Sequence, residues 1–147
     1  MYKNILVPVD GSETARSGLL EAIRLAQTLG STVRIVYVLD ESRAMYPNLS
    51  GELLQQLVDQ LRHAGESILV AATAAARSAD VDASTRLIEA LGTPVGECIV
   101  AAATEWPADL IVCGTHGRRG VRRLVMGSDA EHVVRHSPVP VLLVRVP

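Results

Sequence analysis

The chain contains 147 residues, of which 48% are hydrophobic and 20% are charged, which suits one globular domain with a buried core. Its formal net charge of −2 argues against a dedicated nucleic-acid-binding protein, because such proteins need a basic excess to displace phosphate counterions. No apolar run reaches the roughly 18 residues of a membrane-spanning helix. Its two cysteines are too few for a disulfide or zinc framework. These properties predict a single cytoplasmic domain over residues 1–147, without nucleic-acid or membrane partners.

Apolar runs alternate with helical periodicity along the whole chain. The run from Lys3 to Val9 stops at Asp10, which is typical of a strand buried on both faces. Ser12 is placed to cap the following helix, and Gly30 to end it. Residues 40–49 read as a loop. The predicted strands are residues 3–9, 33–39, 81–87, 109–113 and 139–144, and the predicted helices are residues 13–29, 50–79, 94–104 and 129–137.

This alternation predicts an α/β fold, a doubly wound sheet of five parallel strands with helices on both faces. In a flavodoxin-like strand order the first and fourth strands meet where the order reverses, and ligands bind at that point. The alternating polar residues of 81–87 indicate a half-exposed edge strand. The last strand, Val139–Val144, is apolar, and only Pro140 would hinder its pairing with another strand, since proline lacks a backbone N–H. We therefore expect this strand to pair with a second chain in a homodimer.

A glycine- and arginine-rich segment, residues 114–128, follows the fourth strand. It contains four glycines and four arginines, and a solvated surface loop is one interpretation of that composition. A phosphate site is the other, because glycines let backbone N–H groups approach an anion and guanidinium groups bind phosphate oxygens in pairs. Gly127 and Ser128 also lead into a helix N-terminus, where the helix dipole favours negative charge. Ser128 and Glu131 have the spacing of a capping box, with Ser128 as the cap.

The spacing Gly114-x2-Gly117-x9-Gly127-Ser128 resembles the signature of the universal stress protein family, in its ATP-binding branch. The resemblance extends over the whole chain, through KNILVPVDGS, EWPADLIVCGTHGRRG and GSDAEHVVRHSPVPVLLV. It implies a flavodoxin-like (HUP-type) three-layer sandwich with strand order 3-2-1-4-5. It also implies a small cytoplasmic homodimer that binds ATP and responds to stress.

The same resemblance implies roles for individual residues. Asp10 would meet the ribose, and Pro8 and Val9 would line the pocket, while Val38 would contact adenine. The ribose and phosphates would be held by Gly114, Thr115, Gly117, Gly127, Ser128 and Asp129.

Other assignments rest on charge and position alone. Arg118 and Arg119 are placed beside the phosphates by inference from their charge, and Asp10 is a candidate ligand of an ATP-bound Mg²⁺. His132 and His136 lie four residues apart on a predicted helix, but no third ligand accompanies them for a metal site.

Three hypotheses about function remain after the motifs are compared. A P-loop is excluded because no lysine follows the glycines. A receiver domain is excluded because it would need an acidic phosphoacceptor, and a flavin site is excluded because it would need more aromatic residues than the 3% present. The favoured hypothesis is a nucleotide-binding regulator that an unknown protein partner senses, with weak ATPase activity at most. The alternatives are a slow ATPase or phosphotransfer enzyme, and a nucleotide-independent dimeric interaction protein.

Overall fold

The structure, a computed structural model, describes residues 1–44, 48–115 and 126–146. Its five strands form one parallel sheet in the order β3-β2-β1-β4-β5, which confirms the predicted flavodoxin-like α/β fold and strand order. The strands are β1 (Asn4–Pro8), β2 (Thr32–Leu39), β3 (Ala83–Glu89), β4 (Leu110–Gly114) and β5 (Val141–Val144). The helices are α1 (Glu13–Leu29), α2 (Gly51–Ser78), α3 (Val95–Glu105) and α4 (Ser128–His136), with a 3-10 helix at Glu41–Ala44.

The sheet separates two apolar cores. Alternation along β1 directs Ile5 and Val7 to the core beneath α1 and α2, and directs Leu6 to the core beneath α3 and α4. All three side chains are fully buried. Burial on both faces explains why the central strands are continuous apolar runs in the sequence. None of the helices in the described part of the chain is long and apolar enough to cross a membrane.

Local signals set the ends of the first two helices. Ser12 caps α1, because its Oγ accepts a hydrogen bond from Ala15 N at 3.1 Å, and Gly30 ends α1 with a left-handed φ of 67°. Ser50 caps α2 through a hydrogen bond from Leu53 N. The predictions for Ser12 and Gly30 are confirmed.

The starts of α3 and α4 correct two predictions. In the sequence, Thr93 followed by Pro94 predicts a capping hydroxyl with proline in the first helical turn. Thr93 does not cap α3, because Pro94 is the N-cap residue and makes no side-chain cap hydrogen bond. Ser128 does not cap α4 either, because the extended residue is Gly127 and Ser128 is already helical. Gly127 is held in this conformation by its N–H, which donates to Thr115 O at 2.8 Å. The predicted capping box is therefore wrong by one residue.

Two further boundaries differ from the prediction. The 3-10 helix occupies part of the predicted loop at residues 40–49. Strand β3 begins at Ala83 rather than at Val81, because Asp80 turns the chain with a φ of 55° and Val81 N donates to Ala76 O of α2.

Candidate functional site

A cavity of about 520 Å³ lies at the carboxyl ends of β1, β2 and β4, where the strand order reverses. We call it the strand-end cavity. Doubly wound sheets bind ligands in this position because loops and helix N-termini converge there. Eight of the residues that the sequence analysis assigned to the nucleotide line this cavity: Pro8, Val9, Asp10, Val38, Gly114, Gly127, Ser128 and Asp129.

Thr115 is the one assigned residue in the described part of the chain that does not line the cavity. Thr115 is buried, and its backbone joins β5 and Gly127 through the bonds from Thr115 N to Val144 O and from Gly127 N to Thr115 O. Gly117, Arg118 and Arg119 lie outside the described residues, as does His116. Their assignment to the nucleotide stays a prediction.

The sheet wall of the cavity is built by two matching strand ends. Pro8 is the last residue of β1, and it lies on the same face of the sheet as Asp10 because side chains alternate along an extended chain. Val38 and Asp40 share a face in the same way at the end of β2. Each aspartate turns the chain in the same way, since Ser12 N donates to Asp10 Oδ1 at 2.8 Å and Ser42 N donates to Asp40 Oδ1 at 3.1 Å. An Asx-turn therefore follows each strand.

The cavity lining also contains two helix N-termini whose N-cap residues, Pro94 and Gly127, make no side-chain cap hydrogen bond. Pro94 and Val95 begin α3, while Gly127, Ser128 and Asp129 begin α4, and all five residues line the cavity. Neither helix has a side-chain cap hydrogen bond, whereas α1 and α2 both do. The first N–H groups of α3 and α4 therefore have no cap side chain as acceptor, and the two helix dipoles add positive potential at the cavity.

Gly114 has a packing role that the sequence analysis did not predict. A Cβ at this residue would lie 2.5 Å from Thr14 O and 2.6 Å from Thr14 C, in the backbone of the first turn of α1. Glycine is therefore required for the close approach of α1 to β4, whether or not a ligand is bound.

The charges of the cavity are mainly acidic among the described residues. Asp10, Asp40 and Asp129 line it, and none of the described lining residues is a lysine or an arginine. Cys113 also lines the cavity, where burial raises its thiol pKa to about 11, so it is a neutral thiol rather than a nucleophile at neutral pH.

The sequence analysis missed several lining residues. Asp40 and Ser42 follow β2, and Pro94, Val95 and Ile99 come from α3. A signal for the first pair exists, because the pattern Asp-x-Ser follows both β1 and β2. The α3 residues carry no such signal, since they resemble any apolar helix face.

The described residues contain no group of three or more His, Cys, Asp or Glu side chains that could hold a metal ion. His132 and His136 stack with their ring centroids 4.2 Å apart, and His136 Nδ1 lies 2.9 Å from the His132 carbonyl oxygen. The two histidines therefore contact each other on one face of α4, as residues four apart on a helix do.

Comparison with known proteins settles the family. A family model described as the universal stress protein family matches residues 1–145. The chain belongs to the universal stress protein family. This universal stress protein is 34% identical over 148 aligned residues to one from Methanocaldococcus jannaschii, with 100% of the chain and 84% of that relative covered. The solved structure of universal stress protein UspA from Lactobacillus plantarum is 30% identical, with a TM-score of 0.85 and 98% of both chains covered.

Two less similar universal stress protein structures contain adenine nucleotides. The one from Archaeoglobus fulgidus was solved in complex with dAMP; it is 24% identical, its TM-score is 0.66, and 97% of both chains is covered. Another was solved in complex with cAMP; it is 23% identical, its TM-score is 0.70, and 98% of this chain and 97% of that one are covered. At these sequence identities, the comparison establishes only that both proteins share the fold of this universal stress protein.

Proposed function

We propose that this protein is a regulator that binds an adenine nucleotide, with ATP as its ligand, in the strand-end cavity. The observation that carries the proposal is the pair of uncapped helix N-termini facing one cavity. Free backbone N–H groups and the helix dipole stabilise phosphate at such a position. The nucleotide complexes of proteins with the same fold support the proposal.

The lining of the cavity suggests how the nucleotide lies. The phosphates meet Gly127, Ser128 and Asp129 at the start of α4, and the ribose lies beside Asp10. The base lies against the apolar part of the lining, which includes Val38, Val95 and Ile99. Ligand sites commonly combine such an apolar wall with a few polar groups that fix orientation.

The acidic lining means that a triphosphate needs added positive charge. Mg²⁺ is usually held by substrate phosphates together with one or two protein carboxylates. Asp10, one of the three carboxylates that line the cavity, fits that requirement, so we propose that ATP binds as its Mg²⁺ complex. Arg118 and Arg119 are proposed to supply further positive charge to the phosphates.

The proposal is tested by calorimetric titration of nucleotide-stripped protein with ATP, with and without Mg²⁺. Ser128 is the first residue of α4, a position that tolerates proline because its N–H has no partner within the helix. Gly127 already has the extended conformation, with φ −60° and ψ 152°, that a residue before proline requires. Ser128→Pro therefore removes one N–H from the cavity and keeps the helix.

The matched control is Ser128→Ala, which removes the hydroxyl and keeps the N–H. We expect micromolar binding of Mg-ATP by the parent. We expect Ser128→Pro to weaken binding about tenfold or more relative to Ser128→Ala, because a hydrogen bond to a charged group contributes about 1.5–3 kcal/mol. Absence of binding by the parent would refute the nucleotide proposal. Equal affinities in the two variants would refute the role of the α4 N-terminus.

We further propose that two chains form a homodimer through Val139–Val144. Strand β5 lies at the edge of the sheet. Pro140 O accepts a hydrogen bond from Ile111 N of β4, and Val144 O accepts one from Thr115 N, just after β4. Alternate residues of a parallel ladder face the same neighbour. Val141 and Leu143 therefore direct their backbone polar groups to the open edge. Pro140 faces β4 and does not guard that edge, contrary to the expectation from the sequence.

Sedimentation velocity tests the dimer. We expect the parent to sediment as a dimer and Leu143→Pro, which removes an edge N–H, to sediment as a monomer with a cooperative thermal transition. A monomeric parent would contradict the proposal.

Slow ATP hydrolysis is the second candidate function, favoured by the Asp10 carboxylate beside the proposed phosphates. Multiple-turnover release of phosphate that Asp10→Asn abolishes would establish it, and stoichiometric binding without release would exclude it.

We propose that residues 1–147 form a single cytoplasmic domain, and that a protein partner senses the nucleotide during a stress response. A nucleotide-independent interaction protein is the remaining alternative, and binding of Mg-ATP by the parent would exclude it.

A further inference from the structure

A second cavity, of about 640 Å³, lies between β3 and the carboxyl-terminal half of α2, and we call it the edge groove. The residues that shape it are Glu66, Val70, Thr73, Ala74 and Arg77 of α2 and Thr85 of β3. Val70 is 70% exposed, although it lies in the middle of a long helix. The groove therefore has an apolar centre, with Glu66 towards one end and Arg77 towards the other.

The backbone of β3 is open on the outer side of the sheet. β3 forms the edge opposite β5, and no strand of the described residues pairs with its outer side. Asp82 O accepts a hydrogen bond from Val33 N of β2 at 2.9 Å, and alternate residues of a parallel ladder face the same neighbour. Ala83, Thr85 and Leu87 therefore direct their N–H and C=O groups away from β2. Such a row of groups is a template for another extended chain.

The charged side chains of β3 are held by residues of their own chain. Arg86 pairs with Glu105, and Glu89 pairs with Arg62 of α2. The strand contains no proline. Charged side chains and proline are common protections of an edge strand, and β3 has only charges that are already paired.

Thr85 lies level with the middle of the part of α2 that packs along β3. Glu89 pairs with Arg62, and Val81 N donates to Ala76 O at 3.0 Å, so α2 and β3 run in opposite directions. Thr85 is midway between residues 81 and 89. It is therefore level with about residue 69 of α2, midway between the two contacts.

We propose that a second copy of this chain docks at the edge groove, related to the first by a two-fold axis that passes beside Thr85. The two β3 strands are then antiparallel, Thr85 lies opposite the partner's Thr85, and Ala83 lies opposite the partner's Leu87. Each of these pairs exchanges two backbone hydrogen bonds, because both members face the open edge. Arg86 lies opposite the partner's Ser84, so no like charges oppose each other along the strands.

The same axis brings the two α2 helices to packing distance. α2 packs over both β2 and β3, so the helix lies about one strand spacing, about 4.8 Å, from the two-fold axis. The two helices are then antiparallel and about 10 Å apart, which is at the upper end of the range of about 8–10 Å for packed helices. Val70 is close to the level of the axis, so it packs against the partner's Val70 and is removed from water.

Glu66 and Arg77 are complementary across this axis, and this complementarity selects a second copy as the occupant. Glu66 is about 4.5 Å along the helix on one side of residue 69, and Arg77 is about 12 Å along it on the other side, so Glu66 shares a side with the partner's Arg77. Helical side chains tilt towards the helix N-terminus, which moves Arg77 towards the axis and Glu66 away from it, so the opposite charges approach. No described residue forms an ion pair with Arg77, and Glu66 Oε2 lies 3.6 Å from Nδ1 of the exposed His63.

Sedimentation equilibrium at about 10 μM and at about 1 mM tests this contact. A contact of one strand and one helix side is at the small end of protein interfaces, so we expect it to form at about 100 μM and above. The mass of the parent is expected to at least double between the two concentrations. Leu143→Pro, whose β5 edge is blocked, is expected to change from monomer to dimer, which isolates the β3 edge.

Thr85→Pro removes an N–H from the open edge, and Thr85→Ala is the matched control that keeps it. Proline is tolerated on an edge strand where its missing N–H faces away from the sheet. We expect Thr85→Pro to raise the dissociation constant of the contact about tenfold or more relative to Thr85→Ala, because the two-fold axis removes each bond twice. A cooperative thermal transition establishes that each variant is folded.

Charge reversal tests the two-fold arrangement itself. Arg77→Glu and Glu66→Arg each place like charges opposite one another at two symmetric sites, so each is expected to weaken association about tenfold. The double variant with both substitutions is expected to associate within about threefold of the parent. Such a restoration means that the two residues meet between chains, because they lie about 16 Å apart along one helix.

Three results would overturn the proposal. The first is a mass that stays the same at both concentrations in the parent and in Leu143→Pro, which would mean that the edge groove does not take a second copy. The others are association that Thr85→Pro leaves unchanged and a double variant that associates no better than Arg77→Glu. None of these results bears on nucleotide binding, which the calorimetric titration tests separately.

Discussion

Substitution of Gly114 by alanine tests whether close backbone packing, independent of any ligand, requires glycine at the end of β4. The added Cβ would lie 2.5 Å from Thr14 O, 2.6 Å from Thr14 C and 3.0 Å from Ala15 N. All three atoms belong to the backbone of the first turn of α1, so no side chain can rotate to make room. Relief requires α1 to move away from a strand whose residues from Leu110 to Cys113 are buried.

The expected cost is about 2–3 kcal/mol, the upper part of the range for overpacking a buried site. For a chain of this size that loss lowers the melting temperature by about 4–12 °C. Urea unfolding of nucleotide-free protein measures the loss, with an unchanged slope against denaturant. Gly51→Ala is the control, because nothing lies within 4 Å of its added Cβ, and we expect a change within about 0.5 kcal/mol. Equal unfolding midpoints for the two variants would refute the packing argument.

Two further predictions concern the cap of α1 and the thiol of the cavity. Ser12→Ala removes the acceptor of Ala15 N and should cost about 1 kcal/mol in urea unfolding; a loss below about 0.3 kcal/mol would mean that the cap contributes little. The Cys113 thiol, with a pKa of about 11 raised from 9.0, should not react with a thiol reagent at pH 8 until urea unfolds the chain, and rapid labelling of the native protein would contradict its burial. Because the unfolded chain releases this proton first, stability should fall as the pH rises from 9 to 11. Cys113→Ala should lack that part of the fall.

The sequence by itself determined the elements whose signals are local. The central strands are apolar throughout because both of their faces are buried, and that requirement is visible in any single run, such as Ile5–Val7. The ends of α1 follow from Ser12 and Gly30, since a cap forms within three residues and a left-handed residue needs no distant partner. The alternation of strands and helices predicted the parallel sheet, whereas its strand order came from the resemblance to the universal stress protein family. The strand-end cavity lies where that order predicts a ligand.

Only the tertiary structure decided features that depend on residues far apart in the chain. The start of α4 moved to Ser128 because Thr115 holds Gly127 extended, and a local capping pattern contains no information about that contact. Gly114 proved necessary for the approach of α1, one hundred residues earlier in the chain. Asp40 and Val95 became neighbours in one cavity only when the sheet and α3 packed together. Hydrogen bonds within a turn are encoded by adjacent residues, whereas a cavity is encoded by the packing of surfaces that no short segment contains.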